Sequence, residues 1–284
     1  MCLVLLAWRA HPEYRLIVAA NRDEFYTRAT ESLRYWPEEP SLLAGRDLGA
    51  IAVGTWLGLR TDEARFATVT NVRDPRDTPA HPRSRGALLM DYLRGAHSPP
   101  EYLSGVADAA PDTYVGYNLL TSDLRSLWWQ SNRSGVGPTE LAAGLHGLSN
   151  AAHVATVPGS VHSRPQADPT VVGVGAPPLW PKVGSGLRGL RDIVATAPDS
   201  VDDYFALLAD RTEAPDDRLP DTGVPLALER AVSARFIAHD LHGTRASTVL
   251  LIREDGRYTM AERTFGRHGV AGGAESVSGV LVPD

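Results

Sequence analysis

Two apolar stretches with little polar interruption open the chain, Cys2–Trp8 and Tyr14–Ala20, and the turn-like segment from Arg9 to Tyr14 between them predicts an antiparallel pair of strands. Further β-type runs follow at Ile51–Leu59, Phe66–Asn71, Tyr114–Leu120 and Leu124–Gln130. The period changes at Arg85–Leu93, where Leu88, Leu89, Tyr92 and Leu93 share one helical face and Ser84 stands at the cap position. Leu187–Ala195 and Val201–Leu208 are expected to be helical, and Thr244–Arg253 and Tyr258–Phe265 form a hairpin around Glu254, Asp255 and Gly256.

Gly144–Asn150 is a short apolar run. Ala151–Pro178 has no helical period and is rich in Pro, Val, Ala and Gly, so a long inserted loop is expected there, serving as a lid over the site. From Gly266 the chain becomes a Gly-rich tail with one more strand at Val277–Val282. Strands come first, helices in the middle and strands again at the end. That order fits two packed antiparallel sheets with helices outside better than a doubly wound parallel sheet, an α+β class protein. There is no internal repeat, low-complexity tract or convincing linker, so residues 1–284 are expected to form one domain.

Composition narrows the partners. A formal charge of -6 and a single lysine, Lys182, argue against a nucleic-acid partner. The first eight residues look briefly like a signal segment, yet no basic residue precedes them and Arg9, His11 and Glu13 cut them short, whereas a signal core needs about 7–15 apolar residues behind positive charge. No stretch approaches the roughly 20 apolar residues of a membrane span, and the expected location is cytoplasmic. The single cysteine cannot form an internal disulfide.

That cysteine is informative because it is the second residue. Initiator methionine is normally removed before a small residue, so the mature chain is expected to begin with Cys2. An N-terminal cysteine carries a thiol of pKa about 8.5 and an amine of about 7.7–8.0 on adjacent carbons, and the amine can serve as a built-in general base. The competing structural reading is a small apolar residue that starts a buried strand.

The segment Asn21-Arg22-Asp23-Glu24 adds weight to the chemical reading. It is followed in order by Ala44-Gly-Arg-Asp47, Gly54-Thr-Trp-Leu-Gly58, Thr70-Asn71, Ser84-Arg-Gly86, Tyr117-Asn-Leu119, Leu148-Ser-Asn150, Trp180-Pro-Lys182 and Gly243-Thr-Arg245. On these motifs the chain resembles the NRDE family, also called the transport-and-Golgi-organisation family. That family is distantly similar to cysteine amidohydrolases of the choloylglycine and penicillin-acylase type. The resemblance implies a four-layer αββα sandwich and an amide hydrolase acting on a small molecule. By position it implies Cys2 as nucleophile, Asp23 holding the Cys2 amine, Asn71 and Asn150 near an oxyanion site, and positive charge from Arg22, Arg235 or Arg245. Asn21, Arg22, Trp56 and Arg235 are expected to contact substrate. No metal is implied.

Each of these residues also has a plain structural reading. Asp23 and Asn21 suit a turn after a strand, as do Asn71 and Asn150, and Arg245 suits a hairpin base. The chain departs from the family pattern in two places: 29 residues separate Asn150 from Trp180, and His242 replaces a tyrosine before Gly243-Thr-Arg245. A second functional class is a carrier, since the resemblance also points to haem, lipid or acyl-CoA handling. No Cys-x-x-Cys-His motif is present, so a haem would be held non-covalently, with Cys2, His146 and His242 as candidate axial ligands. A third is a scaffold without catalysis.

Overall fold

The computed structural model describes residues 2–49, 53–74, 83–109, 113–162, 169–173 and 179–282. In chain order the elements are β1 (Cys2–His11), β2 (Tyr14–Phe25), β3 (Thr30–Trp36), β4 (Glu39–Asp47), β5 (Leu57–Arg60), β6 (Arg65–Asn71), α1 (Arg85–Arg94) and α2 (Pro99–Ala107). They continue with β7 (Tyr117–Ser122), β8 (Leu127–Ser131), β9 (Thr139–Glu140), β10 (Gly144–Leu148), β11 (Val154–Pro158) and β12 (Thr170–Val172). The remainder is α3 (Pro181–Thr196), α4 (Val201–Leu208), α5 (Leu226–Ala231), β13 (His242–Arg253), β14 (Arg257–Phe265) and β15 (Ala271–Val280).

Two antiparallel sheets result. One runs β12-β11-β10-β1-β2-β13-β14-β15 and the other β3-β4-β5-β6-β7-β8-β9. The central strands are apolar on both faces because both faces are covered. In β1, Val4, Leu6 and Trp8 join the core between the sheets, whereas Leu3, Leu5 and Ala7 pack beneath α3 and α4. The second sheet repeats this: Phe66 and Leu120 face the first sheet, while Ala67, Val69 and Leu119 pack against α1 and α2.

The helices start where local chemistry favours it. Ser84 Oγ accepts the Gly86 N–H at 3.2 Å ahead of α1, and the Ser98 N–H donates to Glu101 at 2.9 Å ahead of α2. Pro181 opens α3 at a position that needs no N–H. Close approach of α3 to the first sheet depends on two glycines: a Cβ on Gly147 would lie 2.7 Å from Val183, and one on Gly186 would lie 2.7 Å from Leu5.

Several expectations need correction. The segment 151–178 is not a bare loop: β11 and β12 extend the first sheet from β10, and Val154, Ala155 and Val157 are buried in its two cores. Its short alternating run was masked by the surrounding Pro and Gly. Residues 163–168 and 174–178 of that segment lie outside the described residues. The tail after Gly266 is mostly strand, with β15 spanning Ala271–Val280 rather than Val277–Val282. The strand expected at Ile51–Leu59 is shorter, Leu57–Arg60, and residues 51 and 52 lie outside the described part. β3, β4 and α2 were not anticipated. β3 and β4 carry charged residues such as Glu31, Arg34 and Arg46 among few apolar ones, which hides their period.

Candidate functional site

Cys2 begins β1 and lies opposite Arg22 of β2. Alternation along the two strands turns both side chains into the space between the sheets. There Arg22 Nη2 donates to Asp47 at 3.0 Å, and the guanidinium stacks 4.5 Å from the Trp56 ring. Asp47 also accepts from Arg28 Nε at 2.8 Å, so two arginines hold one carboxylate. Arg22 Nη1 is buried with no hydrogen-bond partner among the described residues. Asp23, next along β2, turns to the other face, where its Oδ1 accepts the Thr244 hydroxyl at 2.7 Å.

A third buried charge converges here. Lys182, at the start of α3, is only 3% exposed and donates to the Val232 carbonyl at 3.1 Å. Burial lowers its pKa, while Asp23 and Cys2 act to raise it. Burial raises the Asp23 pKa against the pull of the chain's amino terminus, Lys182, the Thr244 bond and Arg22. Burial likewise raises the Cys2 thiol, and the amino terminus, a hydrogen bond from the Asp23 backbone and Arg22 oppose it. Burying such groups costs several kcal/mol each unless they are paired, so Arg22, Asp23 and Lys182 beside a thiol form a cluster that packing alone does not require.

The second sheet approaches from the other side. The Ser149 hydroxyl donates to the Cys2 carbonyl at 2.7 Å, which ties β1 to the segment after β10. The Asn150 amide donates to the Asn71 carbonyl at 2.8 Å, and the Arg73 N–H donates to the Asn150 carbonyl at 2.8 Å. Thr70 Oγ1 and Asn118 Nδ2 donate to the Ser149 carbonyl at 2.7 and 3.3 Å. Asn150 thus sits one residue from the Ser149–Cys2 contact, with one of its two amide N–H groups engaged. Asn71 meets Asn150 through its backbone.

Other sequence-selected residues hold the frame. Arg245 Nη1 donates to the carbonyls of Phe25, Tyr26 and Arg28 at 3.0, 3.2 and 3.0 Å, pinning the turn after β2. Arg235 donates to the Leu207 carbonyl, the Ser185 hydroxyl and Asp210. Asn21 donates to the Leu208 and Arg235 carbonyls at 3.0 and 2.7 Å and accepts from Ser247 at 2.6 Å. His146 is buried with Nε2 2.9 Å from the Ala142 carbonyl, and burial holds its pKa at about 4. His242 packs edge-on to Phe25, and burial and the nearby amino terminus lower its pKa to about 4. Among the described residues no group of three or more His, Cys, Asp or Glu is arranged to hold a metal.

Sequence reasoning passed over Lys182, Ser149 and Thr244 as site residues. Lys182 had a signal, being the only lysine in a chain with 28 Lys and Arg residues. Ser149 and Thr244 fall within the Leu148-Ser-Asn150 and Gly243-Thr-Arg245 motifs, but nothing local marks them as site residues, because their partners lie 147 and 221 residues away.

Two cavities flank Trp180. One of about 700 Å³ is lined by Asn150, Val72, Arg73, Arg133, Leu219 and Thr222 among others. The other, about 570 Å³, includes Lys182, Ser185, Asp210 and Arg235. Trp180 and Leu219 line both.

Fold and site together define a mixed α/β protein of two antiparallel sheets whose lone cysteine begins a central strand amid buried charge. Residues 1–267 match the Transport and Golgi organisation 2 family, and the chain belongs to that family. It is 30% identical over 285 residues to the Transport and Golgi organization protein 2 homolog of Bos taurus. The corresponding proteins of Homo sapiens and Mus musculus are 29% and 27% identical over 287 and 283 residues, and each of the three alignments covers 93% of both chains. No helix among the described residues is long and apolar enough to cross a membrane.

Proposed function

We propose that this protein is a cysteine hydrolase of the N-terminal-nucleophile type, acting on an amide-like C–N bond of a small molecule, with Cys2 as nucleophile once Met1 is removed. The observation that carries the reading is that the thiol-bearing first residue of β1 feels three buried charged side chains, Arg22 across the strand pair and Asp23 and Lys182 from the helix-covered face. Perturbed, desolvated charges cluster at functional sites, which makes such a group around a thiol a candidate site. Helices against the outer faces of two packed sheets agree with the four-layer sandwich that such a hydrolase requires, and the family's association with transport and Golgi organisation leaves the chemistry open.

In this mechanism the α-amine of Cys2 takes the thiol proton, and the sulfur attacks the carbonyl carbon, forming a C–S bond. Negative charge gathers on the carbonyl oxygen. The second amide N–H of Asn150 and the unpartnered Nη1 of Arg22 are the donors assigned to that oxygen, and each well-placed donor contributes about 3 kcal/mol. Collapse breaks the C–N bond, and the amine leaves with the proton held by the Cys2 ammonium. Water then cleaves the thioester and restores the thiol. Asp23 holds the ammonium through the cycle. The cytoplasm is the compartment proposed for this reaction.

The carrier reading finds less support. The described linings of the two cavities contain no His or Cys that could ligate haem iron. His146 is sealed in the core and His242 stacks on Phe25.

The test is a panel of small N-acyl amides with intact-mass detection. Protein lacking Met1 is expected to show turnover and a transient acyl adduct on Cys2, and the Cys2→Ser variant is expected to lose nearly all turnover while staying folded. Processed protein that neither turns over nor acylates across the panel would remove the hydrolase reading. Haemin titration serves the alternative: a saturating Soret band shifted by Cys2, His146 or His242 substitution would restore the carrier.

A further inference from the structure

Sheet edges present unpaired backbone groups, and proteins blunt them with short strands, bulges, charges or proline. The two sheets end in β12, β15, β3 and β9. β12 spans only Thr170–Val172 and β9 only Thr139–Glu140. β3 slips register against β4 between Glu31 and Arg34 and again between Tyr35 and Trp36. β15 is the longest of the four edges, with one bulge opposite Thr264 and one charge, Glu275. It runs from Ala271 to Val280 without Pro, Lys or Arg, it pairs β14 without a break from Arg257↔Val280 to Arg263↔Ala274, and it is exposed almost throughout. It lies beyond residue 267, where the family match ends.

We propose that β15 pairs antiparallel with β15 of a second copy of this chain, joining two sheets into one across a two-fold axis. A two-fold relating antiparallel edge strands stands perpendicular to the sheet, so every side chain keeps its face in both copies. Directly opposed residues share a face and side chains alternate, so opposed residues must both be odd-numbered or both even-numbered. The axis therefore passes through a residue position. Centred on Glu275, the pairing would set carboxylate against carboxylate, which is destabilising. Centred on Ser276, it opposes hydroxyl to hydroxyl, Glu275 to Val277 and Ala274 to Ser278, all within the part of β15 that keeps an unbroken register with β14. Glu275 is the strand's one charged residue, so this register contains no like-charge pair. Self-complementarity of that kind favours a second copy over an unrelated strand. The small Gly, Ala and Ser side chains leave the edge flat enough for close approach.

Sedimentation across a concentration range tests the proposal. The full chain is expected to approach twice its 30.6 kDa mass. Ser276→Glu places two carboxylates at the axis and is expected to weaken self-association at least about tenfold while leaving the melting temperature unchanged, since position 276 is exposed. Ser276→Cys is expected to form an interchain disulfide under mild oxidation. Ser278→Cys, opposite Ala274 in this register, is expected to form none, and Cys2 is buried in both variants. A chain that stays monomeric throughout the range overturns the proposal. A dimer that ignores Ser276→Glu and does not crosslink at position 276 overturns it equally, because the interface then lies elsewhere.

Discussion

Glu262 carries a carboxylate into the space between the two sheets, where its oxygens accept the Leu33 N–H at 2.8 Å and the Thr248 hydroxyl at 3.2 Å. Burial outweighs both bonds and the more distant Arg22 charge, and it pushes the pKa up to about 7. A carboxyl whose folded pKa exceeds its unfolded value stabilises fully below the unfolded value, and that contribution is lost as pH rises through the folded pKa. The window is therefore about pH 4.5 to 7, and the full effect is on the order of 3 kcal/mol. His146 works in the opposite direction, since a folded pKa near 4 costs stability as pH falls below about 6.5. The two effects overlap, so the wild-type profile alone is not diagnostic. The difference between wild type and Glu262→Gln is: chemical denaturation should show the variant gaining relative stability as pH rises from 5 to 8. A constant difference across that range would mean that Glu262 does not titrate there. Lys182 gives a second residue-scale prediction. Lys182→Met leaves the Asp23 carboxylate without its nearby cation and should cost about 3–5 kcal/mol, as should Asp23→Asn, which leaves the ammonium buried. The double variant should cost clearly less than the sum of the two, as measured in a urea double-mutant cycle. Strict additivity would show that the two charges do not sense each other. Cys2 and Asn21–Glu24 were legible in the sequence because they are contiguous with strong strands. Glu262 was not, because its role depends on a bulge in β3 that frees the Leu33 N–H, and nothing near position 262 encodes that bulge.

At the scale of elements, β11 decides what the segment after Asn150 is for. Val154 faces the core between the sheets, and Ala155 and Val157 face the core under α3. A lid would tolerate removal, but this segment closes two cores. Replacing residues 151–178 by a short linker should therefore abolish the cooperative thermal transition, and Val154→Ala alone should cost about 2 kcal/mol from lost burial and the cavity left behind. A shortened chain that melts like wild type would return the segment to the status of a lid. α3 makes a complementary demand for small residues. Gly147→Val would drive side-chain atoms into Val183 and Leu187, whose positions are already fixed by the core. Overpacking of this kind costs about 1–3 kcal/mol, and it should also displace Pro181–Val183 and with them Lys182. Strong single-period elements such as α1, α4 and the β13–β14 hairpin were readable because each carries its own cap, apolar face or turn glycine, with Gly256 at a φ of 83°. β3, β4 and β12 were not, because they are edge or near-edge strands whose pairing comes from distant neighbours.

At the scale of the molecule, the first sheet is closed by pairing its beginning to its end. β2 is hydrogen-bonded to β13 from Phe25↔His242 to Tyr14↔Arg253, so the strands next to Cys2 are completed by residues more than two hundred positions later. The same pairing places Thr244 against Asp23. Such non-local closure makes folding slow, because chain entropy is lost before the contacts that offset it can form. It also separates two kinds of truncation. Ending the chain after Asp240 removes β13 and β14, exposes the inner edge of β2 and strips Val249, Leu250 and Ile252 from the two cores. That fragment should have no cooperative transition at all. Ending it after Arg267 removes only β15 and the segment behind it, and the buried residue lost with them is Leu281, with Val277 partly buried. The shorter loss should cost a few kcal/mol and leave a folded protein with β14 as its new edge. Circular dichroism melts of the two truncations decide the matter. If the chain ending at Arg267 fails to fold, β15 is integral to the core rather than an added edge, and the flat strand at the rim of the sheet is there for stability.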